Sequence, residues 1–161
     1  MYQDEYVNWL KVNEAGANIY FSLDNEPDLW SATHAEVHPN AVTYAELAQK
    51  NVDYAKAIKG VLPNAKVLGP VNYGFNGFET LQNAPDAGGR NFLDYYLDQM
   101  KAADTANGKR LIDYLDLHWY PEATGGGVRI TGADTGAAVV AAREQAPRSL
   151  WDPTYVENSW I

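Results

Sequence analysis

The chain has 161 residues, of which 46% are hydrophobic and 12% aromatic, ample for the core of one ordinary domain and too apolar for a disordered segment. Twelve Lys and Arg stand against 21 Asp and Glu, a formal charge of -9 that disfavours nucleic acid and anionic membrane as partners and suits a neutral, hydrated one. The absence of cysteine excludes a disulfide framework and a thiolate metal site.

No apolar run approaches the roughly 18 residues of a membrane span. The start Met1-Tyr2-Gln3-Asp4-Glu5 lacks the basic and apolar regions of a signal peptide, so any secretion signal of a parent protein is expected upstream. No repeat, low-complexity tract or linker interrupts the chain, which reads as a single unit.

Residues from about Asp4 to Ala15 read as the end of a helix with Tyr6, Trp9, Leu10 and Asn13 on one side and Gly16 as its stop. A strand is expected over Asn18 to Asn25. Alternate side chains on a strand face opposite ways, so Ile19, Phe21 and Leu23 should meet a helix layer while Tyr20, Ser22, Asp24 and Glu26 face a polar lumen. Pro27 cannot donate to a sheet ladder and biases Glu26 away from helical angles, so the strand should end there with its carboxylate projecting from the C-terminal mouth.

A polar loop follows, and then Thr43-Tyr44-Ala45-Glu46, a capping box that should open a helix. Leu47, Tyr54, Ala55, Ile58 and Leu62 share its buried face at helical spacing, and Gly60 with Pro63-Asn64 should close it. Lys66 to Val71 is a short strand broken by Gly69-Pro70, followed by a loop of about twenty residues from Asn72 to Arg90; loops that long usually carry function. The next helix should run from about Asn91 to Ala106, with Phe92, Leu93, Tyr96, Leu97 and Met100 inward and Gly108 at its end. A third strand spans Ile112 to Tyr120, where Leu115, Leu117 and Trp119 face one way and Tyr114, Asp116, His118 and Tyr120 the other. A Gly125-Gly126-Gly127 loop, a helix near Thr135 to Gln145 and an irregular tail complete the chain. Strands alternating with helices predict a parallel α/β sheet.

The block Tyr20-Phe21-Ser22-Leu23-Asp24-Asn25-Glu26-Pro27-Asp28-Leu29-Trp30 carries a resemblance, joined by Thr33-His34, His38-Pro39, Gly69-Pro70, Tyr73-Gly74-Phe75 and Asp116-Leu117-His118-Trp119-Tyr120-Pro121. Together they closely resemble glycoside hydrolase family 44, a group of clan A endoglucanases and xyloglucanases, over essentially the whole chain. The resemblance implies a retaining hydrolase of β-1,4-glucans on a (β/α)8 TIM barrel, with Glu26 as general acid/base and the three strands as the fourth to sixth of the barrel. It also implies an extracellular enzyme without cofactor, acting on a β-1,4-glucan polysaccharide. A TIM barrel takes about 250 residues, and the nucleophile of such enzymes ends the seventh strand. The chain is therefore expected to be one fragment, residues 1–161, of a catalytic domain, with the nucleophile outside it and the isolated chain inactive.

Several side chains are candidates beside Glu26. Asn25 offers donors and an acceptor for a sugar hydroxyl. Trp30 and Tyr73 offer flat faces for a pyranose ring, against the commoner use of such rings as core. His118 and Tyr120, two apart on one strand face, should both enter the mouth. Glu157 lacks a preceding apolar strand and is rejected as nucleophile. His34 and His38 have the i, i+4 spacing of a metal pair, but Pro39 follows and no zinc-protease pattern surrounds them, so no metal is assigned. A metal-dependent hydrolase at His34 and His38, or a noncatalytic glucan-binding fragment, are the alternatives. The all-β pattern usual for binding modules is absent.

Overall fold

The computed structural model describes residues 2–159; Met1, named above in the chain start, lies outside the described residues. The chain divides into two compact units, Met1–His118 and Trp119–Ile161.

The first unit is a three-stranded parallel sheet in the order β1-β2-β3, formed by β1 (Tyr20–Ser22), β2 (Lys66–Asn72) and β3 (Tyr114–Leu117). Helix α1 (Tyr2–Asn13) precedes β1, a 3-10 turn (Pro27–Leu29) and the short α2 (Trp30–Thr33) follow it, and α3 (Tyr44–Val61) leads to β2. Helices α4 (Phe75–Thr80) and α5 (Phe92–Asn107) lie between β2 and β3. The parallel α/β architecture expected from the alternation of patterns is present. Strand β2 runs over the expected residues and one more, whereas β1 and β3 are shorter than expected; beyond β1 the backbone leaves extended geometry early, with Asp24 at φ 99°.

Leu47, Ala55, Val67, Phe92, Tyr96 and Leu111 form the buried centre. Within it the Tyr96 hydroxyl donates to Asn51 Oδ1 at 2.7 Å. Gly69 passes so close to this pair that a Cβ there would lie 2.8 Å from Asn51 Oδ1 and 2.9 Å from the Tyr96 hydroxyl oxygen. The glycine is thus a packing requirement.

Several local expectations are corrected. On α1 the buried residue is Val7, whereas Tyr6 and Trp9 are 60% and 55% exposed; α1 packs on α3 along the Val7 line, and its aromatic side stays open. Leu97 and Leu115 are likewise exposed, Leu97 turned off the α5 stripe and Leu115 on an edge strand. The stretch after β2 is interrupted by α4, and α3 runs through Gly60 to Val61. The capping box is half realised: Thr43 Oγ1 accepts from Glu46 N at 3.0 Å, but the Asp86 carboxylate takes the N–H groups of Tyr44 and Ala45, leaving Glu46 to contact His38 and Lys50.

The second unit carries an antiparallel hairpin, β4 (Thr124–Gly125) with β5 (Val128–Arg129), helix α6 (Ala137–Gln145) and a 3-10 helix (Ala146–Leu150). Gly126 and Gly127 both have positive φ, the requirement of a tight two-residue hairpin turn. Among the described residues no helix is long and apolar enough to cross a membrane.

Candidate active site

The C-terminal ends of the three parallel strands converge on Glu26. Beyond β1 the ladder takes one more bond, Leu23 N to Leu68 O at 3.0 Å. Asp24 then turns to φ 99° and accepts the Asn25 N–H on its own carboxylate at 2.8 Å. Glu26 follows in the left-handed region, φ 54° and ψ 53°, with Pro27 opening the 3-10 turn behind it. Its N–H donates to Val71 O at the end of β2, at 2.9 Å. Val71 itself has φ 64°, an outlying conformation for a β-branched residue. Two adjacent strand exits thus hold strained backbone, which persists only where the surroundings over-determine it.

The third exit completes the convergence. His118 N donates to Asn72 O at 2.9 Å, fixing the histidine to the residue after Val71. Its Nδ1 lies 2.8 Å from Glu26 Oε1. With Glu26 ionised, the imidazole Nδ1–H donates to the carboxylate; with Glu26 protonated, its O–H donates to the ring nitrogen. One proton can therefore sit at either end of this contact, and both side chains remain partly open to solvent.

Two residues past Glu26 lies Asp28, only 6% exposed. Its carboxylate accepts the Tyr73 N–H through both oxygens, at 3.0 and 3.3 Å. Burial pushes its pKa above the ordinary carboxylate value, with the Tyr73 N–H and the neighbouring polar groups opposing. In the sequence Asp28 stands inside the family block without a site role, because it looks like an ordinary acidic residue of the polar loop past a strand exit. Tyr73 and Phe75, on the segment leaving β2, present exposed rings at 40% and 52%.

The other sequence candidates fall in different settings. Asn25 is exposed on the β1 exit. Trp30 packs against the core, its ring 5.1 Å from that of His38 and under the Lys50 ammonium, beside a cavity of about 320 Å³ also lined by Phe21, Leu23 and Tyr54. This is the setting of a packing residue. Tyr120 is half exposed in the second unit. In that unit the Glu157 carboxylate accepts from Glu122 N and Ser149 Oγ. His38 has both ring nitrogens engaged, by Glu46 Oε1 at 2.9 Å and Asn40 O at 2.8 Å, whereas His34 is exposed. The pair does not converge on a common point, and no cluster of three metal-ligating side chains occurs among the described residues.

The strand exits thus bring a glutamate and a histidine into contact through one shared proton, and comparison with known proteins gives the chain a family. The sequence profile of glycoside hydrolase family 44 matches residues 1–123, three quarters of the chain. The chain belongs to glycoside hydrolase family 44. The family 44 endoglucanase of Clostridium thermocellum superimposes with a TM-score of 0.92 at 53% identity, over 98% of this chain and 33% of that one. A family 44 xyloglucanase of Paenibacillus polymyxa, solved with xyloglucan, gives 0.91 at 48% identity with the same coverage. Endoglucanase A of Paenibacillus lautus is 51% identical along the whole of this chain. The chain spans a quarter of that relative and a third of each solved structure.

Proposed function

We propose that this family 44 chain is the acid/base-bearing part of the catalytic domain of a retaining endo-β-1,4-glucanase, acting on soluble β-1,4-glucans such as carboxymethyl cellulose, mixed-linkage glucan or xyloglucan. The observation that carries the proposal is Glu26 itself: a carboxyl group fixed at the mouth of a parallel sheet, 2.8 Å from His118. In this reading residues 1–161 supply strands four to six of a (β/α)8 barrel, whose active site gathers at the C-terminal strand ends. Three sequential parallel strands joined through helices, and the superposition on a third of the solved family structures, support it.

Glu26 protonates the glycosidic oxygen as it leaves, then removes a proton from the water that releases the glycosyl-enzyme. His118 is suited to hold the carboxyl group in the orientation needed for both steps, because its own position is fixed by backbone on β2. The nucleophile is a second carboxylate outside this chain, about 5 to 5.5 Å from Glu26 in the assembled site. In this reading Asn25 and Tyr73, at the exits of β1 and β2, meet the substrate, and Tyr120 is a further substrate contact. Trp30 supports the fold beneath them rather than stacking on sugar. The complete enzyme is extracellular, where its polymeric substrates are.

The test is substitution in the complete enzyme. Glu26→Gln should lower kcat on carboxymethyl cellulose by about two to four orders of magnitude, the usual share of general acid/base catalysis. Unchanged turnover would refute the assignment.

A further inference from the structure

The left-handed turn at Glu26 is an improbable place to hold a proton donor steady, and the bonds that hold it do not come from Glu26 alone. Its N–H is tied to Val71 O, and His118 N is tied to Asn72 O. Both halves of the Glu26–His118 pair therefore hang on one two-residue piece of backbone at the exit of β2. Val71 lies at φ 64° in that piece, so the chain there would relax unless something beyond it held it in place.

The next residue is Tyr73, whose N–H is taken by both oxygens of Asp28. Asp28 is in turn two residues past Glu26 and begins the same 3-10 turn with Pro27. A closed ring results: Glu26 N to Val71 O, along the backbone to Tyr73 N, across to the Asp28 carboxylate, and back through Pro27 to Glu26. We propose that Asp28 is a positioning residue for Glu26, closing a clasp between the β1 and β2 exits that holds the acid/base in register with His118.

Two observations argue that this carboxylate is placed for the clasp rather than tolerated as filler. Burying a carboxyl group to 6% exposure is costly unless it is used, and the backbone N–H it accepts belongs to Tyr73, the residue that ends the strained segment. The opposite wall is also shaped to it. At Gly77 in α4 an added Cβ would stand 2.3 Å from Asp28 Oδ2 and 3.2 Å from Asn72 Cβ, so only glycine lets the carboxylate occupy its place over Tyr73. Val71, Asn72, Tyr73 and Gly77 thus form one cradle around the bond between Asp28 and the chain.

The proposal rests on the reading of Glu26 as acid/base, and the experiment separates the two. In the complete enzyme, Asp28→Ala, Asp28→Asn and Gly77→Ala are compared with Glu26→Gln by kcat, KM and thermal midpoint. A 1 Å misplacement of a catalytic group costs up to about 100-fold. Asp28→Ala should accordingly lose roughly 10- to 100-fold in kcat with KM nearly unchanged. Asp28→Asn, whose amide oxygen still accepts the Tyr73 N–H, should recover most of that loss. Gly77→Ala, which leaves every polar group present but displaces the carboxylate, should reproduce it.

Parent-like kcat in folded Asp28→Ala or Gly77→Ala, with Glu26→Gln inactive, would overturn the clasp and leave the acid/base assignment standing. A parent-like Glu26→Gln would instead remove the reading on which the clasp depends. If Asp28→Ala does not fold, Gly77→Ala and Asp28→Asn decide by the same criteria. Loss of folding in all three, the asparagine variant included, would make Asp28 a purely structural residue and also overturn the proposal.

Discussion

At the scale of single residues, the position of Glu26 was legible and its partnership was not. An apolar strand running into Asn-Glu-Pro announces an exit, because proline removes a ladder donor and restricts the residue before it. His118 was legible as a polar side chain on the lumen face of the third strand. That its Nδ1 meets Glu26 Oε1 across 92 residues of sequence depends on strand pairing, which no local pattern encodes. Asp28 was missed for a different reason, since burial rather than residue type sets it apart. Its raised pKa has a measurable consequence. Between the ordinary carboxylate value near 3.8 and the raised value, the folded chain binds more protons than the unfolded one, so the Asp28 contribution favours folding at acid pH and weakens as pH rises through that window. Denaturant titrations across that range should show the stability of Asp28→Asn gaining on the parent as pH rises. A gap that stays constant with pH would contradict the assignment of a raised value.

At the scale of elements, periodicity found the helices and misjudged how much of each is covered. Leu47, Ala55 and Ile58 are buried on α3 as their spacing demands, but α1 buries Val7 rather than its aromatic residues because only one line of the helix meets α3. The same stripe on α3 contains Lys59, four residues past Ala55, a charge among apolar neighbours that signals a buried partner in retrospect. That partner is Asp113, just before β3, which takes Lys59 Nζ at 2.7 Å and Val67 N at 2.9 Å; Lys59 also donates to Arg110 O. The pair joins the end of α3 to the starts of β2 and β3. Removing one partner leaves a buried charge, so Asp113→Ala should cost about 3–5 kcal/mol in chemical denaturation. Burial alone would raise the Asp113 pKa, but Lys59, the Val67 N–H and Lys66 together outweigh it and hold it below the ordinary value. The sign is opposite to that of Asp28. Its contribution is fully present above about pH 4 and is lost as pH falls through the depressed pKa. A parent-like denaturation midpoint for Asp113→Ala at neutral pH would sink this account.

At the scale of the whole molecule, the class of the fold was legible because strands and helices alternate in sequence, and a parallel sheet is what that alternation builds. The division into two compact units was not, since the Trp119-Tyr120-Pro121 stretch at the boundary carries none of the usual linker composition. The three-stranded sheet has open edges at β1 and β3, the edges that closure of a (β/α)8 barrel would pair. Such a closed barrel is the setting proposed for the Glu26–His118 pair, and the role of Glu26 there is best read from chemistry that bypasses proton donation. An activated aryl β-cellobioside needs no acid to expel its leaving group, and azide needs no base to attack the glycosyl-enzyme. In the complete enzyme, Glu26→Ala should therefore hydrolyse that substrate with a turnover that climbs as azide is added, giving a β-glycosyl azide of retained configuration. An α-glycosyl azide would make Glu26 the nucleophile, and parent-like turnover indifferent to azide would remove it from the chemistry altogether.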